Sequence, residues 1–238
     1  MKWVLANLDT IWDNTLSHLA IAIPPIIVAF LLSIPIGWLV VRLQRPGGSR
    51  FASGVGSSIV TLAGLLYAIP SLALFVALPS IIGTGLQSPI NVVIGLTLYG
   101  LALMVRSTVD GLTSVDSETK SASTAMGYSP AQRFFRVELP LAGPVLLAGL
   151  RVVSVSTISL TTVGAVLGIP SLGLLFTDGL GRGIYEEILS GIVMVLVLAF
   201  ALDGLLVLLG RLVMPWTRTN AVSRRQARRV LQAAEVSS

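Results

Sequence analysis

Few side chains in this chain of 238 residues could perform chemistry. It contains no cysteine, which excludes disulfides, thiolate metal sites and a cysteine nucleophile, and its single histidine is His18. Its lysines, Lys2 and Lys120, lack the glycine-rich loop that would cradle a phosphate. We therefore expect no catalytic residue, no metal site and no cofactor in this chain.

A Ser–His pair is the one nucleophilic arrangement to consider, with His18 and either Ser57 or Ser58. These residues fall at opposite ends of two predicted membrane helices, so they would not meet. Serine is also common in membrane helices, where it serves packing. We therefore interpret His18 as an interfacial residue at the outer end of the first helix and disfavour an intramembrane protease.

Asp203 is the one acid that lies clearly inside an apolar segment. Intramembrane acids are costly, and they are usually functional or paired. Arg211 follows about two helical turns later, so we favour a structural pair near the cytoplasmic face. No series of Asp, Glu and His residues crosses the predicted helices, which disfavours a stand-alone ion-driven carrier.

The apolar segments that must position these residues define the class of protein. The chain is 54% hydrophobic and 11% charged, with a mean hydropathy of +0.88. The 55 residues between Arg50 and Arg106 carry no charge, nor do residues 19–41. Uncharged apolar runs of this length predict membrane spans. The sequence therefore indicates an all-α integral membrane protein and excludes a water-soluble globule, a disordered chain and a nucleic-acid binder.

Five crossings fit these segments, because one crossing needs roughly 20 residues. A cluster of helix breakers at residues 83–89 divides the long uncharged block. We expect a membrane domain of residues 1–216, with spans at about residues 19–41, 57–82, 90–112, 140–167 and 188–210.

The distribution of arginine orients the five spans. Arginines follow the first, third and fifth spans, whereas acidic residues dominate the opposite side. We therefore expect the N-terminus outside, the C-terminus inside, and a basic cytoplasmic tail at residues 217–238. The arginines at residues 224–229 could contact anionic lipid, although anchoring the topology is the simpler interpretation.

The cytoplasmic segment between the third and fourth spans, residues 116–138, is longer than a simple linker requires. Asp116 or Ser117 can cap a short helix that ends at Gly127. Ser129 can cap a second helix that has Pro130 at its first position. Two short helices with a glycine between them predict a rigid cytoplasmic knob.

The side chains of this knob suggest a docking element. Phe134, Phe135 and Val137 are expected to form an apolar face, while Arg133 and Arg136 face water. The small residues are expected to let another surface approach closely; they are Ala122, Ser123 and Ala125.

The same segment resembles the EAA motif of the permeases of ATP-binding-cassette importers, through Ser121-Ala122-Ser123, Gly127 and Leu139-Pro140. The Glu and the second Ala of that motif are replaced by Ser121 and Ser123, and Glu118 lies one turn earlier. In that family the motif is a coupling helix that contacts the ATPase subunit. The resemblance implies such contacts for Ser121, Ala122, Ser123, Ala125, Met126, Gly127, Tyr128 and Gln132.

Tyr67-Ala68-Ile69-Pro70-Ser71-Leu72-Ala73-Leu74 is similar to a stretch of the glycine betaine/carnitine/choline permeases. Residues 143–151, the loop at residues 168–173 and Asp203 resemble the same group. The resemblance covers roughly residues 15–215 and implies the type I importer permease fold. It further implies a translocation path or gate that contains Tyr67, Ile69, Pro70, Ser71, Gly168 and Pro170.

The function implied by this resemblance is that of a permease subunit in an ATP-driven importer of osmoprotectants, such as glycine betaine, choline, carnitine or proline-type solutes. The chain would lie in a prokaryotic cell membrane and would not itself be an enzyme. The implied partners are ATPase subunits that bind ATP and magnesium, a second permease subunit, an extracytoplasmic substrate-binding protein and membrane lipid, but no nucleic acid.

Two alternatives stay open. A permease for another small solute, such as methionine or a phosphonate, shares the fold and the motif. A stand-alone channel would need no ATPase, but the knob would then have no cytoplasmic partner. A homodimer and a heterodimer of permeases are both compatible with the sequence.

Overall fold

A computed structural model describes residues 2–45 and 47–217 of the chain, with the side chain of Lys2 left out. Within these residues, all regular secondary structure is helical. The predicted basic tail, including the arginines at residues 224–229, lies outside the described residues except for Thr217.

The described residues form ten α-helices with three short irregular helical turns. The α-helices are α1 (Lys2–Ala6), α2 (Leu8–Leu43), α3 (Arg50–Tyr67), α4 (Ser71–Ile82), α5 (Pro89–Thr113), α6 (Ser117–Ala125), α7 (Pro130–Arg133), α8 (Leu139–Thr161), α9 (Leu174–Arg182) and α10 (Tyr185–Val213). A π-helical turn, Phe134–Glu138, joins α7 to α8. Two 3₁₀ turns, Thr162–Leu167 and Pro215–Thr217, follow α8 and α10 respectively.

Four helical segments of the described chain are long and apolar enough to cross a membrane, and a bent pair makes a fifth if it counts as one span. The four segments are Leu8–Leu43, Pro89–Thr113, Pro130–Leu167 and Tyr185–Val213. The fourth predicted span is joined without a break to the knob, because the π turn continues directly into α8.

The predicted second span, residues 57–82, is two helices rather than one. The axes of α3 and α4 differ by 106° across the break between Tyr67 and Ser71. Pro70 lies at this bend as the residue before α4, where it lacks a backbone N–H and cannot continue α3. Pro79 lies inside α4 without breaking it.

The first membrane helix is longer than the apolar run that predicts it. Helix α2 begins at Leu8 rather than near residue 19 and runs for 36 residues through Pro24, Pro25 and Pro35. The polar residues before the apolar run, such as Asp9 and Asp13, therefore continue the same helix. Hydropathy locates the part of a helix that lies in lipid, but it does not locate the end of the helix itself.

Helix α5 is the centre of the bundle, with α2 and α8 packed against it. The buried cluster at the cytoplasmic end of these helices contains Met104 and Leu112 from α5 and Leu146 and Val153 from α8. Phe134 of the π turn belongs to the same cluster, so the knob is continuous with the core. Helix α10 packs on α8 and α9 and keeps most of its surface exposed.

Helices α2 and α5 approach each other closely at a glycine. A Cβ atom on Gly37 would lie 2.5 Å from Cγ2 of Thr108. The Thr108 hydroxyl donates to the Met104 carbonyl at 2.8 Å and lies 3.1 Å from the Ser33 hydroxyl. Small residues let the backbones of membrane helices approach closely, so that van der Waals contacts hold the helices together. The hydrophobic effect does not provide this attraction within lipid.

Replacing Gly37 with alanine should therefore lower the melting temperature of the detergent-solubilised protein by several degrees, because the β-branched Thr108 cannot move aside cheaply. Gly64→Ala is the matched control, since a Cβ atom there would meet nothing within 4 Å. Alanine favours a helix over glycine by about 0.5–1 kcal/mol, so we expect Gly64→Ala to keep or raise the melting temperature. Thermal unfolding followed by tryptophan fluorescence measures both, and a Gly37→Ala protein as stable as the control would contradict this contact.

Candidate functional site

The first helix of the cytoplasmic knob begins and ends where its caps predict. The Asp116 side chain accepts a hydrogen bond from the Glu118 N–H at 3.2 Å, and α6 follows as Ser117–Ala125. Gly127 ends the unit with φ at +85°, a conformation that glycine adopts without strain. Its N–H donates to the Thr124 carbonyl at 3.0 Å.

The second helix of the knob starts with a capping box. The Gln132 N–H donates to the Ser129 hydroxyl at 3.3 Å, and the Ser129 N–H donates to Oε1 of Gln132 at 2.9 Å. Pro130 occupies the first turn, where its missing N–H costs nothing. The predicted start of this helix is therefore confirmed.

The exposed surface of the knob consists mainly of small side chains. Ala122, Ala125 and Gly127 are exposed, and Met126 stands out with 70% of its surface accessible. Ser123 was grouped with these residues, but it is only 1% exposed and its hydroxyl donates to the Lys120 carbonyl at 2.8 Å. Its side chain faces the rest of the chain and not a partner. Of the other predicted contact residues, Ser121 and Gln132 are exposed and Tyr128 is partly buried.

Two cations brace the knob against the membrane helices. Arg133 was expected to face water, but its Nε donates to Oε1 of Glu138 at 2.6 Å and its Nη1 donates to the Thr124 hydroxyl at 3.0 Å. Lys120 reaches back to the last turn of α5, where its Nζ donates to the Leu112 carbonyl at 2.9 Å. These bonds tie α6 to α5 on one side and to the start of α8 on the other.

The predicted apolar face of the knob is divided by the structure. Phe134 is buried, with its ring 5.7 Å from the Trp38 ring of α2. Phe135 is 65% exposed, and Arg136 faces water as expected. The division arises because consecutive residues of a helix point in clearly different directions, so Phe134 and Phe135 cannot both face the core.

The bend between α3 and α4 exposes the residues predicted to line a path. Tyr67 and Ile69 are 43% and 38% exposed, Pro70 is also exposed, and Ser71 is partly buried. Sequence reasoning missed the residue that holds this bend, Tyr99 of α5, whose hydroxyl donates to the Ile69 carbonyl at 2.6 Å. A tyrosine in the middle of an apolar span was the available signal, because its hydroxyl needs a partner when it is buried.

Two aromatic rings pack against the Tyr99 ring. The Tyr67 and Phe75 rings lie edge to face against Tyr99, with centroids 5.7 and 6.5 Å away. The loop after α8 joins Phe75 and Tyr99 in a buried cluster through the fully buried Ile169. Gly168 and Pro170, both exposed, flank Ile169 in this loop. Gly168 has φ at +77°, which permits the sharp turn at the end of the 3₁₀ segment.

Asp203 pairs with Arg151 and not with the predicted Arg211. Arg151 Nε donates to Oδ1 at 2.6 Å, and its Nη2 donates to Oδ2 at 2.7 Å. The prediction of Arg211 was wrong because it considered only residues close to Asp203 along the same helix. The partner comes instead from α8, which packs against α10. Arg151 was identifiable as the partner of Asp203, because it is the one arginine within the fourth apolar segment. Charged side chains inside a membrane usually pair with one another.

The prediction that His18 lies at the outer end of the first helix was wrong. Because α2 begins at Leu8, His18 lies inside the helix, and its side chain is fully buried within the chain. Ser58 donates to the Gly54 carbonyl, and Ser57 accepts from Gln44, so neither hydroxyl is joined to a histidine. Within residues 2–45 and 47–217, no group of three His, Asp or Glu side chains could hold a metal ion.

Comparison with known proteins identifies relatives along nearly the whole chain. Residues 5–218 match the family described as "Binding-protein-dependent transport system inner membrane component". The chain is 31% identical over 209 residues to the osmoprotectant import permease protein OsmW of Salmonella typhimurium, covering 87% of this chain and 93% of that protein. It is 27% identical to the choline transport system permease protein OpuBB of Bacillus subtilis, covering 90% and 94%.

Solved structures share the fold. A chain of the MetNI methionine ABC transporter, in an inward-facing conformation, superposes with a TM-score of 0.75 at 21% identity and covers 87% of this chain and 98% of its own. A chain of an amino acid ABC transporter with histidines gives a TM-score of 0.68 at 15% identity, covering 87% and 96%. At these identities the likeness establishes the type I importer permease fold alone.

The hydrogen bond from Tyr99 to the bend predicts a clear loss of stability. Tyr99→Phe removes the donor to the Ile69 carbonyl and should lower the unfolding free energy by about 1 kcal/mol. Tyr67→Phe is the control, because within the described residues the Tyr67 hydroxyl makes no hydrogen bond. Thermal unfolding in detergent compares the two, and equal melting temperatures would show that Tyr99 does not hold the bend.

Proposed function

The chain belongs to the family of inner membrane components of binding-protein-dependent transport systems, and we propose that it is the permease of an ATP-driven importer of osmoprotectants. The proposed substrates are glycine betaine, choline, carnitine or proline-type solutes. The observation that carries this substrate class is the 31% identity with an osmoprotectant import permease across almost the full length of both chains. As a family member, the chain is a multi-pass membrane protein and a transport subunit.

The proposal assigns ATP hydrolysis to separate ATPase subunits, which would bind ATP and magnesium. The contact with them would be made by the exposed side of the knob: Ser121, Ala122, Ala125, Met126, Gly127, Tyr128 and Gln132. Small side chains support this assignment because they let a partner surface approach the α6 backbone. The bracing by Lys120 and Arg133 supports it as well, since a docking element must transmit force without folding back on itself.

The proposed translocation path runs along the bend of α3 and α4, at Tyr67, Ile69, Pro70 and Ser71. Broken helices in a membrane are tolerated where they line a cavity or are covered by protein. Gly168 and Pro170 would border the same path from the loop after α8. A second permease subunit would close it, and an extracytoplasmic binding protein would deliver the solute.

The coupling follows from the connections of the knob. When the ATPase subunits close on ATP, they would displace α6 and α7 together. Helices α5 and α8 are joined to that unit, so they would change their tilt and open the path to the opposite side. The exposed Tyr67 ring offers a π face to a quaternary ammonium, which suits a passage that binds its solute weakly.

Transport measurements distinguish the proposed substrates from the alternatives. The structural likeness to a methionine transporter is a likeness of fold at 21% identity, so it does not favour methionine. A stand-alone channel is disfavoured because it leaves the braced knob without a partner.

Gentle purification of the tagged chain from its native membrane, followed by mass spectrometry, identifies the subunits. Recovery of an ATP-binding-cassette ATPase supports the proposal, and a second permease distinguishes a heterodimer from a homodimer. The recovered subunits and the binding protein are then reconstituted, and uptake of labelled glycine betaine is measured with choline, carnitine or methionine as competitors. Inhibition by methionine alone would replace the osmoprotectant assignment, whereas recovery of the chain alone would favour the channel.

A charge on the small-residue face of α6 should uncouple the importer. Ala122→Arg is expected to reduce ATPase co-purification and glycine betaine uptake at least about tenfold, because a buried unpaired cation costs several kcal/mol at an interface. Ala122→Ser is the control, since it keeps the side chain small at the same exposed position. Wild-type uptake and normal ATPase recovery in Ala122→Arg would refute docking through α6.

A further inference from the structure

An ion pair joins α8 and α10 in the part of the chain that crosses the membrane. Nε and Nη2 of Arg151 meet Oδ1 and Oδ2 of Asp203 at 2.6 and 2.7 Å, in a bidentate arrangement. Two parallel charge-assisted hydrogen bonds fix both position and orientation of the partners. The pair therefore presents its remaining polar atoms in a defined direction.

The pair lies deep in the membrane. At 1.5 Å per residue, Arg151 is about 18 Å from the start of α8, and Asp203 is about 15 Å from the end of α10. The apolar core of a bilayer is about 30 Å thick, so both residues lie within it rather than at the headgroups. Neither side chain can reach the headgroups from such a depth by extending along its helix.

The pair is also open at the surface of the chain. Arg151 keeps 42% of its side chain exposed and Asp203 keeps 25%. Both border a shallow cavity of about 380 Å³, together with Ser156, Ala148, Val152 and Val155. A partly exposed ion pair facing acyl chains would be strongly unfavourable, because charged groups inside membranes face a bundle interior or a water-filled cavity.

The opposite side of α10 behaves as a lipid-facing surface. Leu205, Leu208 and Leu212 are exposed by 49%, 54% and 64%, and at 3.6 residues per turn they lie across the helix from Asp203. The side of α10 that carries Asp203 also exposes Leu196 and Phe200, by 52% and 74%, so the two sides differ in the charge and not in apolar character. The charged side must be covered by water or protein in the assembled transporter.

We propose that Arg151 and Asp203 bind solutes carrying both a positive and a negative charge as these solutes move along a water-filled translocation path. This inference rests on the proposed function as a permease. The bidentate pair uses two of the five guanidinium N–H donors, which leaves Nη1 and one N–H of Nη2 for a carboxylate. Asp203 keeps lone pairs toward the cavity, where a cationic group can approach.

This arrangement suits weak binding. The Arg151–Asp203 pair is neutral, so the empty site holds no unpaired charge. A bound zwitterion contacts both members of the pair, and the loaded site then also carries no net charge. The Ser156 hydroxyl at the cavity rim offers a further donor or acceptor. Choline, which lacks a carboxylate, can use only the Asp203 half.

The absence of cysteine from the chain permits a direct test. Ser156→Cys places the chain's one thiol at the cavity rim in the assembled importer, and a charged, membrane-impermeant thiol reagent reports whether water reaches it. Leu208→Cys is the control on the uncharged side of α10. We expect Ser156→Cys to react at least about tenfold faster than Leu208→Cys, because a lipid-facing thiol is not reached by a charged reagent.

Protection by solutes tests the ligand class. Excess glycine betaine should slow the labelling of Ser156→Cys severalfold, and choline at the same concentration should slow it much less. Labelling as slow as at Leu208→Cys would overturn the proposal, as would a disulfide between two Ser156→Cys chains, which would make this face a permease interface. Equal protection by choline would overturn the role of Arg151.

The swapped pair Arg151→Asp/Asp203→Arg provides a second measurement. It preserves an ion pair but inverts its polarity, and co-purification of the ATPase shows that it assembles. We expect the KM for glycine betaine to rise about tenfold, the equivalent of one lost charge contact; an unchanged KM would contradict binding at this pair.

The two proposals can fail separately. A wild-type importer that takes up no osmoprotectant would refute the substrate class. In that case, protection of Ser156→Cys by methionine, which is also a zwitterion, would uphold the charge-pair site. Protection by neither solute would refute it.

Discussion

The structure depends on one constraint, which is that lipid offers no hydrogen bond to a backbone or a charge. Every peptide group in the membrane must find its partner within the protein, so only continuous helices cross without cost. Helices α5 and α10 satisfy this demand with continuous helical backbone, and α2 stays helical although Pro24, Pro25 and Pro35 each lack a backbone donor. Because acyl chains are as apolar as the side chains, these helices are held by close contacts such as Gly37 against Thr108.

Two features of the structure do not meet this constraint through continuous helices, and both indicate function. The bend at residues 68–70 interrupts the helical backbone, and Tyr99 compensates by donating to the freed Ile69 carbonyl. Arg151 and Asp203 place charges within membrane-crossing helices and compensate by pairing with each other. Each departure is stabilised from a different helix, and each would lower stability without such support.

Local features of the sequence were sufficient to predict the knob. A helix cap depends on a few neighbouring residues, so Asp116, Gly127 and Ser129 could be assigned without knowing the fold. The membrane class was predictable as well, because long uncharged apolar runs identify membrane spans without knowledge of the fold. The 106° angle between α3 and α4 was not predictable, because it depends on where α5 supplies Tyr99.

The failures share a cause, which is packing between helices distant in sequence. Asp203 was assigned to Arg211 along its own helix, whereas α8 supplies the nearer cation across the interface. Ser123 was grouped with its small neighbours as a contact residue, but its position on α6 buries its side chain against the rest of the chain. His18 looked interfacial because the apolar run begins next to it, while the helix begins ten residues earlier.

The hydrogen bonds that brace the knob connect it mechanically to the bend and to the ion pair. Arg133 joins α6 to the π turn that runs directly into α8, and Lys120 joins α6 to the last turn of α5. Helix α8 carries Arg151, and α5 carries Tyr99. A displacement of α6 therefore reaches the ion pair and the bend through rigid helices rather than through loops. The two membrane features would respond together, because the same cytoplasmic element holds both helices that carry them.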